Sequence, residues 1–203
     1  MTSPMPDDAA VIAATRRWLE RAVIGLNLCP FARAPYLRGQ VRIVVSPARD
    51  EETLLLDLCE ELQRLAVSDE NEVETTLLVH PQVLGDFPGF NDFLDLADAA
   101  LVQMNLEGEL QVASFHPDYE FADAPIGDVA NFTNRSPYPT LHLLREASIE
   151  RAVDAVPDTD AIYERNIARL RELGRTGWDA LWRDDAASPP PQAKSPPPQA
   201  NRD

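Results

Sequence analysis

Three short runs of β-branched and apolar residues, Val41–Val45, Thr75–Val79 and Leu110–Phe115, are separated by segments whose apolar residues recur every three or four positions. That alternation of strand and helix periods restricts the fold most, because strands joined through helices cross over and come back parallel, with the helices laid on the sheet. The helical segments also carry end signals. Val11, Ala14, Trp18 and Ala22, with Leu19, Val23 and Leu26 beside them, outline an amphipathic helix ending between Gly25 and Pro30. Asp50, followed by Glu51 and Glu52, caps a second helix whose apolar stripe is Leu55, Leu58, Leu62 and Leu65. Asn91 is placed to cap a third, with Phe93, Ala97, Ala100, Leu101 and Met104 on one face and Gly108 as its stop. The expected architecture is α/β: a small, largely parallel sheet of three strands, or four, packed with several helices.

Residues 115–142, FHPDYEFADAPIGDVANFTNRSPYPTLH, follow neither period. A long irregular stretch inside a periodic chain, rich in His, Tyr, Asn, Arg and Pro, is the usual place for a binding or catalytic loop. At its end, Ser136-Pro137 resembles an N-cap followed by proline at the first helical position, which predicts a helix over residues 137–147. Alternation over residues 140–144 also permits a fourth strand, the second choice to the helix. Further helices are expected over 148–155 and 159–173, with Gly174 as terminator and a short turn from Trp178 to Trp182 closing a single domain over residues 1–183. The remaining residues, 184–203, repeat Ser-Pro-Pro-Pro-Gln-Ala and are expected to form a disordered, proline-rich tail.

The formal charge of −16 over 203 residues argues against nucleic acid and against an anionic membrane surface, both of which require lysine and arginine to neutralise phosphate. No apolar run reaches membrane-spanning length, and the acidic opening MTSPMPDDAA lacks the basic-then-apolar pattern of a secretory signal, so a cytoplasmic protein is expected. Cys29 and Cys59 stand in unlike contexts, and a structural disulfide is not expected. Cys59 shares the stripe of Leu55 and Leu62 and is assigned to the core.

The chemistry-bearing residues gather in three places. Cys29 lies where Pro30 ends a helix, an irregular bend at which a thiol can be reached, although a helix C-terminus disfavours thiolate. His116, with Pro117, Asp118 and Tyr119, directly follows the third strand, where α/β proteins collect ligands, and it is the candidate general base. Asn134, Arg135, Ser136 and Tyr138 combine a guanidinium fork with an expected helix entrance, the ingredients of an anion site, and His142 would lie one helical turn beyond Tyr138. Together they suggest an enzyme acting on a small anionic molecule, with Cys29, His116 and Tyr119 as catalytic candidates and Asn134, Arg135, Ser136, Tyr138 and His142 as binding candidates. The alternative is a non-catalytic metal- or small-ligand-binding module. Cys29, His116, His142 and Asp118 are ligand types, but they lack the paired spacing of zinc motifs, so no metal ligands are assigned, and the pattern names no cofactor.

Four segments, GLNLCPFA at 25–32, FHPDYEFA at 115–122, NRSPYPTLHLLRE at 134–146 and ERNIARLRELG at 164–174, resemble a bacterial family known only as a domain of unknown function, DUF1415. The resemblance spans nearly the whole chain except the tail. It implies membership and carries no activity, cofactor or catalytic residue with it.

Overall fold

β1 (Val41–Val45), β2 (Thr75–Val79) and β3 (Leu110–Phe115) form where the β-branched runs stand, and helical crossovers return the chain so that all three point the same way. A fourth strand, β4 (Thr140–Arg145), enters between β2 and β3, giving the order β1-β2-β4-β3. It pairs antiparallel with both neighbours, whereas β1 and β2 pair parallel. The sheet is therefore mixed, not largely parallel. Among the described residues the long segment after β3 carries no crossover helix, and it returns the chain as a reversed strand. That placement overturns the helix expected over residues 137–147: residues 140–144 are strand, and helix α5 begins at Glu146. The computed structural model describes residues 7–122, 124–125, 127–154 and 160–183. The expected proline-rich tail lies outside them.

Strand alternation sends Leu78, Leu141 and Leu143 to one face of the sheet and Leu77, Ile43 and Phe115 to the other. Helices α3 (Glu51–Val67) and α4 (Phe87–Gln103) cover the first face through Leu54, Leu58, Leu62, Leu65, Phe90 and Phe93. Asp50 caps α3 by accepting the Thr53 N–H. The buried stripe of α3 uses Leu54 instead of Leu55, which leaves Cys59 at its edge, half-buried. Helix α4 starts earlier than Asn91 predicts. Asp86 caps it through the Gly89 N–H, and Pro88 occupies the first turn, where its missing N–H costs nothing.

The second face is covered by α1 (Asp8–Trp18), by a π-helical segment, Leu19–Ile24, that continues it, by the short α2 (Arg33–Leu37), and by α5 (Glu146–Asp154) and α6 (Asp160–Ala180). Gly174, at φ 63°, breaks α6 in the left-handed region that only glycine enters freely, as its terminator role predicts. Trp178 beyond the break packs on Phe132, in a 3₁₀ turn (Val129–Asn134) inside the long segment. No helix among the described residues is long and apolar enough to cross a membrane.

Candidate functional site

The π-helical segment, Leu19–Ile24, forms part of the wall of a cavity on the second face. One extra residue per turn widens the helix and offsets its side chains, and such segments are frequent beside functional sites. Leu19 and Val23 from this segment, Trp18 before it, Leu77 and Phe115 from the sheet, and Ile149 from α5 enclose a cavity of about 350 Å³. That is within the range of small-molecule pockets, roughly 300–1,000 Å³. The lining is predominantly apolar, with Cys29, Thr75, His142 and Arg145 among the few polar side chains reaching it.

Cys29 is held at the cavity by the turn that ends the π segment. Asn27 takes φ 55°, and the Leu28 N–H reaches back to the Val23 carbonyl at 2.9 Å. From α6, Asn166 donates to the Leu28 carbonyl at 2.7 Å, and Arg165 donates to that of Asn27 at 3.4 Å. The GLNLCPFA and ERNIARLRELG segments therefore meet in space. Burial pushes the Cys29 thiol above its ordinary range, against a smaller opposing effect of nearby backbone N–H groups. At neutral pH it is a thiol, a weak donor and a poor nucleophile.

His142 sits on β4 opposite Leu77 and Ala113. Its Nε2 lies 2.7 Å from Thr75 Oγ1, which lies 2.6 Å from the Leu143 carbonyl. The hydroxyl has one hydrogen, and a contact that short to a carbonyl requires it there, so Nε2–H of His142 must donate to Thr75. Nδ1 then carries the lone pair. It has no partner among the described residues and is not sealed off from the cavity. Burial lowers the His142 pKa to about 4, so the imidazole is neutral at neutral pH. Arg145, at the end of β4, directs Nη2 to the carbonyls of Leu65, Ser68 and Val73, closing the C-terminal end of α3.

The other expected site residues lie elsewhere. His116 is fully buried against Phe87 and Phe90. Its Nε2–H donates to the Leu84 carbonyl at 3.2 Å, and its Nδ1 accepts the Asp118 N–H at 3.0 Å. Both nitrogens are occupied, so no lone pair is left to act as a general base. The ring instead fastens the turn at Leu84, a non-glycine residue at φ 56°, to the start of the long segment. Tyr119 packs on Phe87 and Phe121 and lines neither this cavity nor the cleft described below. Asn134 ties its amide to the Ser114 carbonyl, and the Ser136 hydroxyl donates to the Tyr138 carbonyl at 2.7 Å. The FHPDYEFA and NRSPYPTLHLLRE segments are joined by Arg135 Nε, which donates to the Tyr119 carbonyl at 3.3 Å, and by the His116 N–H, which donates to the Asn134 carbonyl at 3.1 Å. With no helix after Pro137, the expected helix entrance beside Arg135 and the helical step from Tyr138 to His142 are both absent.

The expected single constellation is thus divided. Cys29 and His142 share the apolar cavity; Arg135 and Ser136 line a separate cleft of about 430 Å³, with Trp18 a wall of both. Sequence reasoning missed Thr75 and the π segment in the cavity, and Arg175 in the cleft. Only Thr75 left a trace, as a hydroxyl in a strand otherwise apolar after Thr76. Among the described residues, no three His, Cys, Asp or Glu side chains are grouped to hold a metal ion.

No curated protein and no solved structure matches the chain. A family model described as "Protein of unknown function (DUF1415)" matches residues 10–180, and the chain belongs to that family.

Proposed function

We propose that the protein binds a small, largely apolar molecule carrying one O–H or N–H donor, in the cavity between the π segment and the sheet. The carrying observation is the Nδ1 lone pair of His142, fixed in position by Thr75 and left unpartnered at an apolar cavity. An acceptor fixed at an apolar wall is a ready partner for a ligand donor, worth about 0.5–1.5 kcal/mol as one hydrogen bond. The lining supplies the hydrophobic part of the affinity, and the His142 acceptor sets orientation.

The chemistry favours holding over attacking. A catalytic cysteine needs a thiolate and a base beside it, whereas burial keeps Cys29 protonated, burial makes His142, in the same cavity, a weak base with its pKa lowered to about 4, and both nitrogens of His116 are engaged. The non-catalytic, small-ligand reading is therefore better supported than a Cys/His enzyme.

Cys29 reports on occupancy. In a Cys59→Ser background, 2-naphthol should slow iodoacetamide alkylation of Cys29 in a saturable manner. Alkylation unaffected by saturating 2-naphthol would count against the cavity as a binding site.

A further inference from the structure

All three tryptophans of the chain, Trp18, Trp178 and Trp182, line the second cleft, together with Phe132, Arg17, Arg135 and Arg175. The guanidinium of Arg135 stands 4.6 Å from the Phe132 ring centre and that of Arg175 stands 5.5 Å from it, so two like charges share one aromatic ring. Their compensation is incomplete. Arg135 is only 17% exposed, yet its carboxylate partner, Glu120, is 3.9 Å away, at the outer edge of ion-pair range. Its Nε is spent on a carbonyl. Arg175 meets Asp179 at 3.3 Å, on the exposed side. Asp118 also lines the cleft, on the side of Arg135. Burying the Arg135 guanidinium without a close, bidentate counter-charge is unfavourable, and an anion placed between it and the exposed Arg175 relieves that desolvation and the repulsion between the two.

We infer that this cleft is a second binding site, distinct from the apolar cavity, for a small oxyanion, carboxylate or phosphate, attached to a planar aromatic body. The oxygens bridge the guanidinium groups of Arg135 and Arg175, and the ring lies against the tryptophan wall. Cation–π and ring–ring contacts hold the body, and the charge-assisted hydrogen bonds hold the head. The inference does not depend on the occupant of the apolar cavity, because His142, Thr75 and Cys29 take no part in it.

Tryptophan fluorescence provides the readout. The full chain is titrated with phenyl phosphate, benzoate and inorganic phosphate at low salt. Quenching by phenyl phosphate or benzoate in the millimolar range or below is expected, with weaker binding of inorganic phosphate; which aryl anion binds more tightly identifies the head group. Arg175→Gln, at an exposed position, should weaken the aryl anion about tenfold, the order expected for losing one charge-assisted bond. Arg135→Lys retains the charge but loses the fork and should weaken it less than Arg135→Gln. Failure of both aryl anions to bind overturns the inference, as does undiminished affinity in Arg175→Gln together with Arg135→Gln. Inorganic phosphate binding as tightly as phenyl phosphate overturns the aromatic part of it.

Discussion

Thr75 sets the tautomer of His142 across the β2–β4 pair, because its hydroxyl gives its one hydrogen to the Leu143 carbonyl and can only accept from Nε2. A single threonine thereby decides which face of the imidazole is a donor and leaves Nδ1 an acceptor toward the cavity. Thr75→Val preserves shape and removes the choice. Nitrogen-15 spectra of the native protein should show His142 protonated at Nε2 alone, whereas the variant should show both tautomers and lose about 1–2 kcal/mol of stability. One unchanged tautomer in Thr75→Val would contradict the hydrogen-bond assignment.

Ala113 lies on β3 beside His142 and faces the same cavity. Enlarging a side chain into a packed core usually costs 1–3 kcal/mol, but here the added ring enters open space. Ala113→Phe should change the unfolding free energy by less than about 1 kcal/mol while abolishing 2-naphthol binding. Urea denaturation and calorimetry separate the two effects. A large stability loss would mean that the cavity is not available to a side chain of that size.

His80 is fully buried, stacked on Phe90, with Nδ1 against the Val83 carbonyl at 3.1 Å and Nε2 without a partner among the described residues. Burial lowers its pKa to about 4, and the His116 pKa is lowered by the same cause. The sign follows from the unfolded chain binding protons more readily: the contribution is complete above the ordinary value of about 6.5 and is lost as pH falls toward the folded value. For His80 alone the loss between about pH 7 and pH 4.5 is on the order of 2–3 kcal/mol. Relief of repulsion among the acidic groups acts in the opposite direction over the same range. Comparison with His80→Asn, which keeps a donor for Val83, cancels that background. Denaturant melts should show a shallower acid loss in the variant, and parallel pH profiles would refute the assignment.

Asn166 holds the Cys29 turn from α6, and its bond to the Leu28 carbonyl is buried. Asn166→Ala leaves that carbonyl unsatisfied and should cost about 1–3 kcal/mol. Because the turn also positions the thiol, alkylation of Cys29 should become faster than in the native chain. Unchanged alkylation and stability would remove Asn166 from the site's support.

Much of the fold was legible because its segments satisfy local rules without conflict. The β-branched runs at β1, β2 and β3, the Asp50 cap and the Gly174 break follow from the immediate sequence. What was hidden depended on the partner. Residues 140–145 alternate well enough for a strand, yet Ser136-Pro137 is also a sound helix start, and only the vacant position between β2 and β3 decides between them. Asn91 is an acceptable cap, but Asp86 followed by Pro88 is better placed for the apolar stripe of α4. The candidate site was half legible for a related reason. Polar residue types in the long segment marked importance without telling a residue that holds a turn from one that meets a ligand. His116 and Asn134 spend their polar atoms on backbone, and Thr75, marked only by a hydroxyl at the start of a strand apolar after Thr76, decides the chemistry of His142.

Calorimetric titration of the native chain and His142→Leu with 2-naphthol and with naphthalene tests the account most directly. The two molecules share an apolar body and differ by one hydroxyl. The native protein should prefer 2-naphthol by roughly fivefold, the worth of one hydrogen bond, and His142→Leu should bind both equally. Equal affinities in the native protein, or a preference that survives in His142→Leu, would contradict the proposed role of His142 at the cavity.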